Sequence, residues 1–416
     1  MTSATPDRSA TGRRLAHLDG LRALAALFVL LHHTLAMAYP LSEGVFPQGR
    51  LTFLTGVFLY GHFGVTVFIV LAGYSLTLAL ARRSGELRGG TAGFLRRRAR
   101  RIVPPYWAAL ALAVLVAAVL VPGRTGTHWD LSVPTDPRGW VADLLLLQDV
   151  LPGRDAAYPF WSIAVEWHIY LLLPIMLLVR RRTGSWGIAV AFGATGSLAV
   201  LALSRVVPKL GNLHPHYYLL FALAVGGCVA VHLRPELVRK LPLLWISGLG
   251  TAVVVAVCAT HSFRWNSENF WWIDVVLGIA ALCLVMSTAV HEGRWRSALG
   301  WRPLARVGLF SYSLYLVHAP LLAVFLLANG LVIRTLADTR DPFQRRTIVA
   351  LLGALNAAAA AAFANPVFMN PGTSALVYAT LAALVAACRV APQPPAVENA
   401  ADVRRARPGP VRSPAG

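Results

Sequence analysis

Long apolar segments with few charged residues recur along the chain from about residue 19 to residue 389. A helix that crosses a bilayer needs about 20 mainly apolar residues, within a range of about 17–25. The pattern therefore predicts an all-α, polytopic bundle of about 10–11 transmembrane helices. The predicted spans cover residues 19–39, 58–80, 103–121, 158–179, 185–206, 217–233, 242–260, 271–290, 308–329, 347–364 and 373–389.

Three segments depart from this pattern. Residues 139–151 are apolar but too short to cross a bilayer, which favours an interfacial or re-entrant helix. Residues 1–14 and 391–416 lack apolar periodicity, and the second segment is rich in proline, alanine and arginine, so both are predicted to be disordered. One transmembrane domain is expected over residues 15–390, without internal repeats or an appended soluble domain.

The composition agrees with a membrane protein. Of 416 residues, 56% are hydrophobic and only 13% are charged, whereas soluble domains are about a quarter charged. The net charge of +20 is also typical of nucleic-acid-binding proteins, but basic loops on the cytoplasmic side of a membrane explain it, so no nucleic acid is expected. The four cysteines stand singly in apolar segments, which predicts neither a disulfide nor a metal site.

The placement of arginine predicts the orientation. With a cytoplasmic N-terminus, the arginine-rich loops at 81–102 and 291–307 fall inside, and the arginine-poor loops at 40–57 and 122–157 fall outside. An abundance of arginine and alanine is typical of a GC-rich bacterial genome. The expected location is the bacterial inner membrane, where the arginines would contact membrane lipid.

Ionisable side chains inside the spans are functional candidates, because hydrocarbon disfavours them. Arg22 and His33 lie eleven positions apart in the first span, which places them about 20° apart around a helix and about 16 Å apart along it. They therefore share a face, which His32 does not. The pair would suit a channel with a cation at its inner end, or Arg22 could snorkel while His33 is a core histidine. Asp19 would suit an N-cap.

Further polar groups occur in the fourth span. Ser162 and Glu166 are four residues apart and share a face, and Glu166 has a depth similar to that of His33. A carboxylate at that depth can orient an imidazole and raise its basicity. The alternative is a buried structural glutamate.

Two other spans carry histidine. His318 lies in the middle of the ninth span near Ser311 and Tyr315, where a structural role is favoured. His62 opens the second span near the outer surface, where it could contact an acceptor. Gly64 and Gly73 in that span would permit close packing of helices.

The segment FLRRRARRIVPPYW, residues 94–107, is the densest cationic cluster, and its two prolines are expected to fix the start of the third span. Its arginines could bind phosphates through bidentate hydrogen bonds, or they could anchor the chain on anionic lipid. No sequence motif indicates a nucleotide, dinucleotide, serine hydrolase or zinc site.

Five of these segments, in the same order, resemble the membrane-bound acyltransferase family 3, which O-acylates sugars and other hydroxylated acceptors. LDGLRALAALFVLLHH is similar to the opening of that family, and its Arg-x10-His pair falls on Arg22 and His33. The chain has Trp167 and His168 where the family often has Glu-Gln. The other matching segments are GVTVFIVLAGYSL, FLRRRARRIVPPYW, FWSIAVEWHIYLLLP and FSYSLYLVHAPLL.

The resemblance implies acyl transfer from cytoplasmic acyl-CoA, as donor substrate and not as a tightly bound cofactor, to a hydroxyl of a glycan, a lipid-linked sugar or a secondary metabolite. His33 would deprotonate this hydroxyl or carry the acyl group, and Glu166 would tune the imidazole. The phosphates of CoA would be bound by Arg22, Arg97, Arg98, Arg100 and Arg101. Supporting or acceptor-side roles would fall to Asp19, Ser162, His62, Tyr315 and His318.

The alternative is a transporter or lipid-linked-sugar flippase in which the intramembrane histidine and glutamate relay protons. Such proteins often show inverted repeats and helices broken by glycine or proline in matching halves. Neither feature is visible in this sequence, so the acyltransferase interpretation is preferred.

Overall fold

A computed structural model describes residues 16–39, 56–81, 86–120, 129, 137–151 and 160–338, with side chains as far as residue 326. By its internal contacts the chain divides into residues 1–326 and 327–416. Only the end of the last described helix belongs to the second unit.

The described residues form helices and no strands. A short 3-10 turn, Gly56–Tyr60, precedes the second helix, and the third helix continues into a π-helical turn over Val116–Leu120. The α-helices are α1 Ala16–Ala38, α2 Phe63–Ala81, α3 Gly90–Leu115, α4 Pro137–Leu145, α5 Trp161–Thr183, α6 Trp186–Leu203, α7 Pro208–Gly211, α8 Pro215–Leu233, α9 Pro235–Arg239, α10 Leu243–Thr260, α11 Phe263–Glu268, α12 Phe270–Val290, α13 Arg294–Leu299, α14 Arg302–Leu309 and α15 Ser311–Asp338.

The predicted multi-span helical bundle is confirmed. In the described part of the chain, eight helices are long and apolar enough to cross a membrane, and α14 and the first part of α15, which meet at 72°, could form a ninth span. The predicted spans at 347–364 and 373–389 lie outside the described residues. So do the segments 1–14 and 391–416, whose disorder stays a prediction.

The packing separates central from peripheral helices. The apolar windows of α2 and α12 are 67% buried, whereas those of α6 and α10 are only 17% buried. Since α6 and α10 are nonetheless apolar, their open faces suit contact with lipid tails. Helix α2 is central because it packs against α1, α8 and α12 together.

The predicted start of the third span is wrong. Helix α3 begins at Gly90, which like the preceding Gly89 has a φ of +67°, and continues through Pro104 and Pro105. The arginine cluster is therefore helical and does not form a loop. Arginine is a good helix former, and buried side chains on both sides of the prolines, Ile102 and Tyr106, pack the helix into the core.

The short apolar segment after α3 does form a short helix, α4. Side chains of α3 hold it at its C-terminal end, because the Tyr106 hydroxyl donates to the Asp143 carbonyl at 2.8 Å. The Trp107 indole donates to the Leu144 carbonyl at 3.0 Å. These bonds satisfy carbonyls that the end of a helix leaves without an intrahelical partner.

Glycine permits the close helix contacts that the sequence predicted for α2. A Cβ atom at Gly64 would lie 2.7 Å from the Ala25 carbonyl oxygen on α1. A Cβ atom at Gly73 would lie 2.8 Å from the Phe221 carbonyl oxygen on α8. Both separations are shorter than ordinary van der Waals contact, so only glycine fits without a shift of backbone.

We expect Gly308→Ala to destabilise the protein by about 1–3 kcal/mol, because overpacking a dense contact forces the backbone apart. A Cβ atom at Gly308 would lie 1.8 Å from the Asp19 carbonyl oxygen, so α14 would have to move away from α1. Thermal unfolding in detergent measures the effect. Gly196→Ala is the matched control, since nothing lies within 4 Å of its Cβ position. Equal melting temperatures for the two variants would contradict the predicted overpacking.

Candidate active site

A cavity of about 170 Å³ lies between α1, α2, α3, α5 and α15. Its apolar wall comes mainly from α2, including Val65, Phe68 and Ile69. Its remaining surface is unusually polar for the interior of a membrane bundle. The polar residues that line it are Arg22, Ser75, Arg98, Arg101, Ser162, Glu166, Tyr170, Ser311, Tyr312 and Tyr315.

Arg22 is held from two sides at this cavity. Its guanidinium donates to the Asp19 carboxylate at 2.5 Å and to the Ser75 hydroxyl at 2.7 Å. The expected N-cap at Asp19 is wrong, because α1 begins three residues earlier, at Ala16. Asp19 instead orients Arg22, which lies on the cavity and does not snorkel away from it.

The arginines of α3 fall into two groups. Arg98 and Arg101 line the cavity, whereas Arg97 is exposed and donates to the Arg88 carbonyl at 2.5 Å. Arg100 is exposed and is not among the cavity residues. At about 100° per residue, Arg98 and Arg101 lie about 60° apart around α3, whereas Arg98 and Arg100 lie about 160° apart.

Arg98 retains the capacity to bind an anion. Its guanidinium lies over the Phe94 ring at 5.6 Å and over the Tyr170 ring at 5.7 Å. Its Nε is buried and has no hydrogen-bond partner among the described residues. The aromatic rings thus position a cation whose Nε has no hydrogen-bond partner among the described residues.

Glu166 lies with the arginines. The Tyr170 hydroxyl donates a hydrogen bond to its carboxylate, and its charged neighbours are Arg101, Arg98 and Arg22. The expected contact between Glu166 and His33 is not among the contacts of Glu166 in the described part of the chain. A similar depth in the membrane therefore did not predict a contact between the two side chains, because each one contacts different neighbours.

The partner of His33 is His318. Both are buried, and the His33 Nδ1 lies 2.9 Å from the His318 Nε2. The His318 Nδ1 lies 2.6 Å from the Tyr315 carbonyl oxygen, which can only accept a hydrogen bond. When His318 is neutral, its proton therefore sits on Nδ1, and its Nε2 accepts the proton of the His33 Nδ1. This assignment leaves Nε2 of a neutral His33 as the basic nitrogen.

Tyr315 links the histidine pair to the cavity. Its carbonyl orients His318, and its hydroxyl forms a short hydrogen bond with Ser162, which also lines the cavity. His33 is not among the cavity-lining residues of the described part of the chain. The predicted site residues thus form an arginine-lined cavity and an adjoining histidine pair.

Two buried carboxylates were not predicted from the sequence. Asp274, on α12, lies beside His62 and His216, and the sequence signal for it is a single acidic residue in the apolar segment FWWIDVVLG. Asp149 pairs with His168, and the atoms Oδ2 and Nδ1 lie 2.9 Å apart. In the described residues, no group of three His, Cys, Asp or Glu side chains is placed to hold a metal ion.

The fold and the site define a multi-pass helical membrane protein with an arginine-lined cavity beside a histidine pair. A family model described as an acyltransferase domain matches residues 15–363. The chain therefore belongs to this acyltransferase family. No solved structure is a significant match to it.

Two relatives illustrate the similarity. One is the provisionally named membrane-bound transacylase BcsY of Komagataeibacter xylinus, 26% identical over 323 residues, which covers 73% of this chain and 72% of the relative. The other is the O-acetyltransferase OatA of Staphylococcus aureus, 24% identical over 342 residues. That alignment covers 74% of this chain and 51% of OatA, so the chain spans about half the length of this relative.

Proposed function

We propose that this protein is an O-acyltransferase that moves an acyl group, in particular acetyl, from acyl-CoA to a hydroxyl of a sugar, a glycan or a glycosylated small metabolite. The observation that carries the proposal is the cavity in which Arg22, Arg98 and Arg101 surround space beside a paired histidine. The names of the relatives, a transacylase and an O-acetyltransferase, agree with this chemistry.

The arginines supply the donor site. CoA carries phosphates, and guanidinium groups bind phosphate through charge-assisted, often bidentate hydrogen bonds. Arg98 and Arg101 are the principal phosphate ligands of this proposal, together with Arg22. Arg97 and Arg100, which are exposed and do not line the cavity, would act at the surface, on anionic lipid or on an approaching CoA.

The histidine pair supplies the base. The His33 Nε2 would take the proton of the acceptor hydroxyl, and the hydroxyl oxygen would attack the thioester carbonyl carbon. The carbon–sulfur bond then breaks, and the CoA thiolate takes the proton from the imidazolium. If His33 instead carries the acyl group, the same Nε2 attacks the thioester carbonyl and the CoA thiolate leaves. The acceptor oxygen then attacks the acyl-imidazole, the bond from the acyl carbon to Nε2 breaks, and the hydroxyl proton passes through the imidazole to the thiolate. His318 acts as a positioning residue in either route, because it holds the tautomer of His33.

Glu166 would then act through the arginines and not on His33. Its carboxylate offsets part of the positive charge of three arginines in a site with little water, where unpaired charges are costly. Together with Tyr170, it would hold the guanidinium groups in position until the phosphates bind. We class Glu166 as a positioning residue of the donor site.

The donor would enter from the cytoplasm. With the N-terminus inside the cell, the first residues of α3 and the last residues of α5, Arg180, Arg181 and Arg182, lie on the cytoplasmic side, as the positive-inside rule requires. The bacterial inner membrane is the location that this orientation implies. The acceptor would then arrive from the opposite side or from the bilayer.

We expect membrane vesicles that contain the protein to release free CoA from acetyl-CoA when a panel of glycosides is added. The assay detects the thiol with a chromogenic disulfide and the acylated glycoside by mass spectrometry. Vesicles with the doubly substituted donor site, Arg98→Gln with Arg101→Gln, are the control. Glycoside transport without consumption of acetyl-CoA would favour the transporter or flippase and would contradict the proposal.

A further inference from the structure

A second polar cluster surrounds Asp274, whose side chain is 1% exposed. Its Oδ1 accepts a hydrogen bond from the Thr66 hydroxyl at 2.6 Å and lies 3.3 Å from the His62 Nε2. Its Oδ2 lies 3.4 Å from the His216 Nε2 and accepts from the Tyr217 hydroxyl at 3.4 Å. A buried carboxylate with four such neighbours inside a membrane bundle is a candidate site in its own right.

Three helices begin around this carboxylate. His62 immediately precedes α2, His216 is the second residue of α8, and Asp274 is the fifth residue of α12. The N-terminal end of a helix carries a partial positive charge, so three such ends stabilise the ionised carboxylate. The cluster is distinct from the arginine group, since Thr66 and Ser75 are nine residues apart on α2, or about 14 Å.

The cluster nevertheless adjoins the cavity. Val65, next to Thr66 in the chain, lines the cavity wall. Tyr217 lies within electrostatic range of both Asp274 and Tyr315, and Tyr315 lines the cavity and orients His318. A molecule bound at Asp274 would therefore approach the histidine pair from the side that the arginines do not occupy.

Two nitrogen atoms of the cluster are available for a ligand. The Nε2 atoms of His62 and His216 are buried, and neither has a hydrogen-bond partner in the described part of the chain. Both lie at ion-pair distance from Asp274, but without the geometry of a hydrogen bond. His216 is only 6% exposed, and a buried polar atom without a partner is costly unless a ligand satisfies it.

Aromatic rings flank the cluster. Trp161 stacks on His214 at 4.7 Å, and His214 stacks on Tyr217 at 5.8 Å. On the other side, the Phe270 ring lies 3.7 Å from the His62 ring. Aromatic faces beside a few convergent polar groups recognise rings with an apolar C–H face and hydroxyls at the edge.

We infer that the Asp274 cluster is the acceptor site and that it binds a polyhydroxylated ring such as a pyranose. Asp274, His62 and His216 bind hydroxyls of the ring, Trp161 stacks on its C–H face, and one hydroxyl is left for the histidine pair. The inference rests on the proposed function and adds to it the place and the class of acceptor recognition. In the proposed orientation, the cluster lies in the half of the membrane that is farther from the cytoplasm.

The test compares Asp274→Asn with the unaltered protein in proteoliposomes that contain acetyl-CoA. The probe is the methyl glycoside with the highest rate in the panel, and cyclohexanol serves as a ring with a single hydroxyl. We expect the variant to raise the KM for the glycoside by about 10-fold or more, as the loss of a charge-assisted hydrogen bond predicts. The KM for acetyl-CoA should change little, because the phosphate-binding arginines remain, and the rate with cyclohexanol should fall far less than the rate with the glycoside.

A second variant keeps the test decisive if Asp274→Asn fails to fold. Trp161 is only partly buried, so Trp161→Leu should fold and should also raise the KM for the glycoside alone. Trp186→Leu is its matched control, because that tryptophan lies beside Arg180 at the other end of the bundle.

A uniform loss of donor hydrolysis and of transfer, with an unaltered KM for the glycoside, would overturn the acceptor site. Absence of all CoA release from the unaltered protein would instead overturn the proposed function, and the inference with it.

Discussion

His33→Ala is expected to lower kcat for acyl transfer by about 10²–10⁴-fold, the usual contribution of a general base. The substitution removes the Nε2 atom that accepts the hydroxyl proton, and it leaves His318 without its partner at 2.9 Å. The KM for acetyl-CoA should change little, because the phosphate-binding arginines remain. Steady-state release of CoA in proteoliposomes measures both constants.

His32→Gln is the matched control for this substitution. His32 is the neighbouring residue, and its ring meets the His33 ring edge-on at 4.9 Å, but its Nδ1 lies 2.8 Å from the Phe58 carbonyl oxygen. A glutamine there should leave kcat nearly unaltered. Full turnover in His33→Ala would remove His33 from the mechanism. A radiolabelled acetyl group that stays on the unaltered protein without acceptor, but not on His33→Ala, would identify His33 as an acyl carrier.

Arg98→Gln is expected to raise the KM for acetyl-CoA by about 10–100-fold. A hydrogen bond to a charged group contributes about 1.5–3 kcal/mol, and each 1.4 kcal/mol corresponds to about a tenfold change in binding. The KM for acetyl-N-acetylcysteamine, a thioester that lacks the phosphates of CoA, should stay unchanged. The comparison of the two donors separates loss of phosphate binding from a general loss of activity.

Arg97→Gln provides the matched control, because it removes the same charge from the adjacent position of the same helix. Arg97 is not among the residues that line the cavity, and it donates to the Arg88 carbonyl. Its substitution should raise the KM for acetyl-CoA far less than Arg98→Gln does. Equal effects of the two variants would mean that the arginines act through their summed charge, and the cavity would lose its assignment as the phosphate site.

The positions of the spans could be predicted from sequence because the hydrocarbon core of a membrane constrains each segment separately. Hydrocarbon offers no hydrogen bonds to the backbone, so an apolar segment that is long enough to span must form its backbone hydrogen bonds within itself, as a helix. This local rule explains why most described spans agree with their predicted bounds within a few residues. The rule failed for the first part of α3, because charged residues and two prolines do not predict a helix there. Tertiary packing maintains that helix.

The contacts between side chains of different helices could not be predicted in this way, because they join residues that are far apart in the sequence. The spacing of Arg22 and His33 predicts a shared helix face, but it does not say which helices lie opposite. Packing brought Ser75 to Arg22, 53 positions away, and His318 to His33, 285 positions away. It also directed Glu166 towards the arginines of α3, although its depth resembles that of His33.

By itself, the sequence determined that this protein is a helical membrane protein with arginine, histidine and glutamate inside its spans, since length, apolarity and helical period are properties of single segments. Only the tertiary structure decided that Arg98 and Arg22 meet in one cavity, that His318 orients His33 and that Asp274 gathers two histidines. The physical reason is that each of these contacts joins different helices. Their rotation and packing depend on the whole bundle, including the close approaches that Gly64, Gly73 and Gly308 permit.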